Sequence, residues 1–345
     1  MKTDRIVKKV VAMFWVVLLC LTMIGLGSAT AADRILTINI PGNALGVHIP
    51  YMAALNEILP AMDGYGTPEW TRVKRLQTIT QSILTGSVEV GAGDAISTLR
   101  AVEAGADLRI IGNAFMHTSL VFVVNGDKIK DFKDLEKPDV TLAVNSKGDF
   151  THVMLVGPLQ KRGIDMKKVN VITMGGSGTR MRALLAGKVD GVPLHFDQAS
   201  DLAKKGNFKV MIEPAKEYDA FLGEVWIVSG KWLAKPENQR AAVDLLKATI
   251  IAFRKTNSDP KWYAEMYRKY GSKKNMKKAS DEEIEVVRQA LGKDIGCWPD
   301  NMQHSLSVYK DLLPVYKSAG AVKGTVDVSK VVETKYVEQA LKELK

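Results

Sequence analysis

The chain has 345 residues, 48 Lys and Arg against 38 Asp and Glu for a net charge of +10, and two cysteines. Only Cys297 lies beyond the first 32 residues, which excludes a disulfide-built scaffold and leaves stability to ordinary hydrophobic cores. The length suffices for two domains of typical size.

The amino-terminal segment stands apart. Lys2, Arg5, Lys8 and Lys9 make a basic start, Val10 to Leu26 is an apolar run broken only by Thr22 and Gly25, and Ala29 and Ala31 follow at signal-peptidase spacing. This is the pattern of a cleavable secretory signal peptide over 1–32; at about 17 residues the apolar run is short for a membrane span. Cleavage takes 48 basic and 38 acidic residues to 44 and 37, net +7. The expected product is soluble and periplasmic. An exported basic protein does not meet nucleic acid; its charge favours small anions or an anionic surface.

Beyond the leader, "RILTINI" (34–40) alternates and is β-branched, which predicts a strand. "PGNALGVHIP" is a loop and "YMAALNEILPAM" a helix. Next come a helix near 71–85, a strand at 88–92, a helix at 94–105, and strands at 108–114 and 119–125. A strand at 139–145, a helix at 149–163, a strand at 169–174, a helix at 179–186, a strand at 189–194 and a helix near 197–205 follow. Strands alternating with helices predict an α/β architecture with mainly parallel sheet. From about 231 onward every periodic segment is helical and amphipathic, a layer that needs a sheet beneath it.

One internal echo bears on the architecture. "ILTGSVEVGAGDA" (83–95) and "LLAGKVDGVPLHF" (184–196) share an outline: a helix end, a glycine, Val-acid, a strand and a polar turn. Gly86 and Gly187 suit the left-handed position just past a helix. Two such units about 100 residues apart suggest two lobes built alike.

Catalytic signatures are absent from the sequence. His48, His117, His152, His195 and His304 form no metal pair at helical spacing, and there is no H-E-x-x-H. A G-x-S-x-G elbow is missing too. No catalytic residue, metal or cofactor is therefore expected. The densest glycine cluster, Gly175-Gly176-Ser177-Gly178-Thr179-Arg180, fits neither the P-loop nor the dinucleotide fingerprint. It is either a bare turn or an anion site, in which glycines admit close approach, Ser177 or Thr179 caps the helix, and first-turn N–H groups favour negative charge. "NSKGDFTH" (145–152), "GAGDA" (91–95) and "PGNALGVH" (41–48) leave strands the same way. In open α/β sheets ligands bind beyond such strand ends.

The ordered set "SILTGSVEVGAGDAISTLRAVEAGADLRIIG", "IKDFKDLEKPDVTLAVNSKGDF", "VITMGGSGTRMRALLAGKVDGVPL" and "EVWIVSGKWLAKPENQRAAVDLLKA" resembles the nitrate/sulfonate/taurine-type substrate-binding proteins of ABC importers, over roughly 35–260. The resemblance implies the type II periplasmic binding fold. Lobe one would be 33–122 plus 226–345, lobe two 123–225, with crossings at 119–125 and 224–230 and the C-terminal helical layer on lobe one. It also implies a monomeric receptor that closes on a small organic anion and docks on a membrane permease. Carried over by position, lobe one offers Asn43, His48, Asp94 and Asn113. Lobe two offers Lys147, Phe150, Thr151, Gly176, Ser177, Thr179 and His195. Trp226 either stacks on a flat ligand or fills the core, and Asp94 either meets a ligand amine or is spent on its own helix. The early loop lacks the family's usual -x-Glu-x-Gly-Leu-Phe. TRAP-type immunogenic-family receptors share the fold, as do thiamine-pyrimidine synthase-like enzymes. A sensor for a membrane receptor is a further alternative.

Overall fold

Two five-stranded sheets built on one plan carry the fold. The computed structural model describes residues 33–345 apart from 43, 74 and 75, so the expected signal segment lies outside the described residues. β1 (Thr37–Pro41) leads to α1 (Ile49–Ala53), which carries Pro50 in its first turn and continues as a π turn, Ala54–Ile58. β2 (Glu69–Val73), α2 (Leu76–Leu84), β3 (Val90–Gly93), α3 (Ala95–Glu103) and β4 (Leu108–His117) follow. The second set is β5 (Leu120–Asn125), β6 (Thr141–Val144), α4 (Phe150–Lys161), β7 (Asn170–Thr173), α5 (Ser177–Leu185), β8 (Gly191–His195), α6 (Phe196–Ala203) and β9 (Phe208–Ile212). β10 (Leu222–Ser229) then returns to the first sheet.

The strand orders are β2-β1-β3-β10-β4 and β7-β6-β8-β5-β9. β1 runs parallel to β2 and β3, and β6 to β7 and β8. β10 is antiparallel to both its neighbours, and so is β5. Slot for slot the sheets match. In each, the antiparallel strand is the one where the chain has just crossed from the other lobe.

The sequence echo has a shared physical basis. Gly86 and Gly187 sit at φ +72° and +64°, where a Cβ would be strained. The acid after each then holds the neighbouring parallel strand: Glu89 accepts from the Thr37 N–H at 3.1 Å, and Asp190 from the Thr141 N–H at 2.8 Å. Thr37 opens β1 and Thr141 opens β6. These acids therefore fix strand register in the two lobes.

Two elements depart from the sequence expectation. The helix near 71–85 begins only at Leu76, after strand β2, and 208–212 is a strand, β9. Both are sheet edges. An edge strand with much of its surface in solvent needs few apolar residues, so its alternation is faint.

The C-terminal helices are α7 (Pro236–Ser258), α8 (Pro260–Tyr270), α9 (Asp281–Gln289), α10 (Leu306–Ser318) and α11 (Lys335–Glu343). α7 lies against α1 and α11, burying Leu245, Leu246, Ile250 and Phe253. α9 starts on a capping box: Ser280 Oγ accepts from the Glu283 N–H while Glu283 accepts from the Ser280 N–H. Most of the layer covers the first sheet, but α10 also packs against α4 of the second lobe. There Gln160 donates to the Ser318 carbonyl at 3.2 Å. Among the described residues no helix is long and apolar enough to cross a membrane.

Candidate functional site

The carboxyl ends of the parallel strands in the two sheets face a common cavity of about 500 Å³, within the range of small-molecule sites. Strand register places the first wall. Val225 pairs with Gly93, so Glu224 and Asp94, one residue further, are neighbours across β10 and β3. The 3₁₀ turn Gly46–His48 brings His48 beside them.

Asp94 is the N-cap of α3, with Oδ1 accepting from the Ser97 N–H at 2.7 Å. Its Oδ2 is buried without a hydrogen-bond partner, and so is Oε2 of Glu224. Residue exposures are 1% and 7%. Burial raises the pKa of both carboxyls above the ordinary range. His48 Nδ1 accepts from the Leu45 N–H at 3.0 Å. The ring proton therefore sits on Nε2, which faces Glu224 Oε1 at 3.4 Å. A neutral imidazole in this tautomer donates to Glu224 but does not cancel its charge.

The opposite wall is built by α5 and the ends of β6 and β8. Gly175 adopts φ +66°, and Gly176 takes the N-cap position with no side-chain cap. Ser177 and Thr179 therefore do not cap the helix, contrary to expectation, because the cap position falls one residue earlier. Both residues line the cavity instead, with Thr179 Oγ1 accepting from Arg182 at 3.3 Å. Beneath them lies Arg180, 2% exposed. Its Nε and Nη2 donate to the Pro193 carbonyl at 3.0 and 2.9 Å, and Nη1 donates to Gly175 O. Among the described residues no carboxylate lies within ion-pair distance of it, and burial pushes its pKa down to about 10, with Asp149 opposing. Arg72 and Arg182 line the cavity as well. Thr151 Oγ1 accepts from the Asn145 N–H and donates to Asp149, the N-cap of α4.

Of the sequence-predicted residues, His48, Asp94, Phe150, Thr151, Gly176, Ser177, Thr179 and His195 line the cavity. Asn43 lies outside the described residues. Asn113, Lys147 and Trp226 are not on the cavity. Asn113 is fully buried and donates to the Met302 carbonyl at 2.8 Å, tying β4 to the C-terminal layer. Lys147 projects into solvent. Trp226 fills the core at 0% exposure, edge-on to Tyr51. Glu224, Arg180, Arg72 and Arg182 were not anticipated. A lone acid in the apolar strand "LGEVWIVS" is the signal that could have found Glu224.

His195 and Ser119 need separate comment, because Ser119 Oγ lies 2.7 Å from His195 Nδ1. Nucleophilic chemistry needs an accessible hydroxyl and an orienting group behind the base. Ser119 is 1% exposed in the β4–β5 crossing, and the imidazole's other neighbour is the edge of His48, with ring centroids 5.4 Å apart. Burial lowers the pKa of His195 well below the usual range. The pair ties the crossing to β8. A more open depression of about 700 Å³ near His117, Arg288 and Trp298 is walled by lobe one alone. Among the described residues no group of three or more His, Cys, Asp or Glu side chains could hold a metal ion.

A family model described as NMT1/THI5 like matches residues 74–261. Among solved structures, the nitrate-binding protein NrtA from Synechocystis PCC 6803 is similar at TM-score 0.73 and 14% identity, covering 91% of this chain and 90% of that one. The alkanesulfonate-binding protein SsuA from Xanthomonas axonopodis pv. citri, bound to MOPS, is similar at TM-score 0.67 and 17% identity, covering 88% and 100%. The ligand-binding component of an ABC-type import system from Staphylococcus aureus, with zinc bound, is similar at TM-score 0.71 and 11% identity, covering 89% and 99%. No match is found among curated protein sequences.

Proposed function

The chain belongs to the NMT1/THI5-like family, and on that premise we propose that it is an extracytoplasmic solute-binding protein for a small organic acid. It captures the acid between two hinged lobes and delivers it to a membrane importer. The observation that carries this reading is Arg180, a buried guanidinium on the cavity wall with no carboxylate in ion-pair reach. It sits on the first turn of α5, whose N–H groups and dipole also favour negative charge. Nitrate and sulfonate, named for two of the similar structures, are oxyanions that such a wall suits.

Binding and closure follow from the topology. A ligand touching Arg180 on one wall and the β3–β10 ends on the other has its full set of contacts only when the lobes are together. It therefore shifts the population toward the closed form, which the importer reads. The chain works as a monomeric periplasmic carrier without chemistry of its own.

The test is a thermal-shift screen of the chain from residue 33 onward against sulfonates, carboxylates, nitrate and pyrimidines. One class of small acid raises the melting temperature; no shift across the panel would falsify the reading. Replacing Ser177 and Thr179 together with Ala weakens that acid about fivefold for each hydrogen bond lost and leaves the unliganded melting temperature in place. Unchanged affinity would demote the glycine loop to a turn.

A further inference from the structure

Three arginines line the cavity, Arg72 from lobe one and Arg180 and Arg182 from lobe two. Arg180 is buried and braced on carbonyls, whereas Arg72 and Arg182 are exposed. Topology sets their place. The chain crossings join β4 to β5 and β9 to β10, in the fourth and fifth slots of the two sheets. β2 and β7 hold the first slot of each, the end farthest from the crossings. Arg72 is near the carboxyl end of β2, opposite Ile40 of β1, and Arg182 is on α5, the helix that follows β7. Each lobe therefore supplies one guanidinium at the mouth of the cleft. Arg182 leans back over the first turn of its helix, where Nη2 donates to Thr179 Oγ1. Arg72 lies against the Trp70 ring at 5.1 Å, and its charge reaches the buried Tyr51 hydroxyl. Among the described residues neither has a carboxylate within ion-pair distance.

The two acids on the cavity do not neutralise them. Asp94 and Glu224 belong to the third and fourth slots, at the end nearer the crossings, and both are engaged there: Asp94 by the Ser97 N–H, Glu224 by His48 and the Tyr51 hydroxyl. Asp149 acts on Arg180 from behind the wall and does not line the cavity. Closing the lobes takes the two mouth guanidiniums partly out of water. One acid at Arg180 leaves that pair uncompensated, and like charges brought together in a drier site repel.

We infer that the ligand is a diacid: one acid group sits at the α5 N-terminus over Arg180, and a second is clamped at the mouth between Arg72 of one lobe and Arg182 of the other. This rests on the solute-binding reading above and narrows its ligand to two oxyanions on a short linker, a dicarboxylate or a sulfocarboxylate. The second acid touches both lobes at the end where they part most widely, so its two guanidinium contacts are complete only on closure. A monoacid fills the Arg180 end and leaves the mouth with unpaired positive charge, which selects against it.

Matched ligands test this on the unmodified protein. Isothermal titration at about pH 8, where both acids are ionised, compares malonate, succinate, glutarate, adipate and 3-sulfopropionate, each with the monoamide in which one carboxylate is replaced by a carboxamide of nearly the same size. In at least one pair the diacid binds about tenfold or more tighter than its monoamide, the worth of a charge-assisted hydrogen bond. In Arg72→Gln and in Arg182→Gln, exposed positions whose folding is checked by melting curves, the diacid loses more affinity than the monoamide and the ratio falls toward one. Monoamides binding as tightly as the diacids in every pair overturn the diacid assignment while leaving the acid-binding reading standing. A ratio unchanged in both variants also overturns it. Binding by none of the acids overturns both.

Discussion

Arg180→Met separates a binding residue from a structural bracket. The guanidinium is 2% exposed, and burial lowers its pKa from 12.5 to about 10. A displacement of that size corresponds to about 3 kcal/mol by which the fold disfavours the cation. Against this stand three N–H donors on the Pro193 and Gly175 carbonyls, worth about 1.5 kcal/mol each when the donor is charged. The opposing contributions leave a net loss of about 1 kcal/mol on substitution, which lowers the melting temperature by about 2–4 °C for a chain of this size. Affinity responds differently, because removing one side of a desolvated charge pair costs about 2–5 kcal/mol, about 30-fold or more in Kd. Differential scanning calorimetry of the free protein and titration of the tightest acid in the screen measure the two. A melting temperature lowered by more than about 10 °C with Kd within threefold of wild type would refute the reasoning, and Arg180 would then be a bracket holding β8 to the glycine loop.

Acid sensitivity has a traceable source at His304, 8% exposed, whose pKa burial lowers from 6.5 to about 4. A histidine depressed in the fold stays neutral there while the unfolded chain takes up a proton, so its stability contribution is present above pH 6.5 and is lost as pH falls toward 4. Between pH 7.5 and 5.5 that loss is about 1 kcal/mol. Asp149, raised to about 6 mainly by burial, works the other way, its penalty easing as pH falls below 6, so the difference between wild type and His304→Asn in denaturant midpoint isolates the histidine. Equal slopes with pH in the two proteins would remove His304 as the cause. Cys297 is fully buried and burial pushes its thiol up. The folded chain from residue 33 onward therefore resists a disulfide reagent that titrates one thiol in denaturant, and rapid labelling of the folded protein would contradict its placement.

The architecture was legible because its signals are local. Strand–helix alternation, the glycines at 86 and 187 and the Val-acid pairs after them each sit within a dozen residues, and the fold uses them as the sequence suggests. Edge strands β2 and β9 were faint because solvent covers much of each. The site was legible only where a strand end carries its own polar turn, as at Ser177 or Thr151. Glu224 reaches the cavity through its pairing with β3, 130 residues earlier in the chain; a short window shows a lone acid in an apolar strand but not what that acid faces. Lys147 failed in the opposite sense: its turn is at the right strand end, but its side chain points to solvent. Trp226 sits two residues past Glu224, yet its side chain is core while the acid meets the cavity. Composition alone does not distinguish those two positions.

The exchanged strand slot governs the order in which the lobes can be completed. Every strand of the second sheet lies between Leu120 and Ile212, so that lobe can close as soon as its own stretch has emerged. The first sheet cannot. Its strands β3 and β4 are separated by a gap that only β10, arriving after the whole second lobe, can fill. Until then β3 and β4 each present an unpaired edge, the kind of exposure that invites pairing with another chain. Growth from the amino end therefore makes the inserted lobe the early-forming unit and the enclosing lobe the late one. Truncation between Ile212 and Leu222 leaves a protein with one finished sheet and one sticky one.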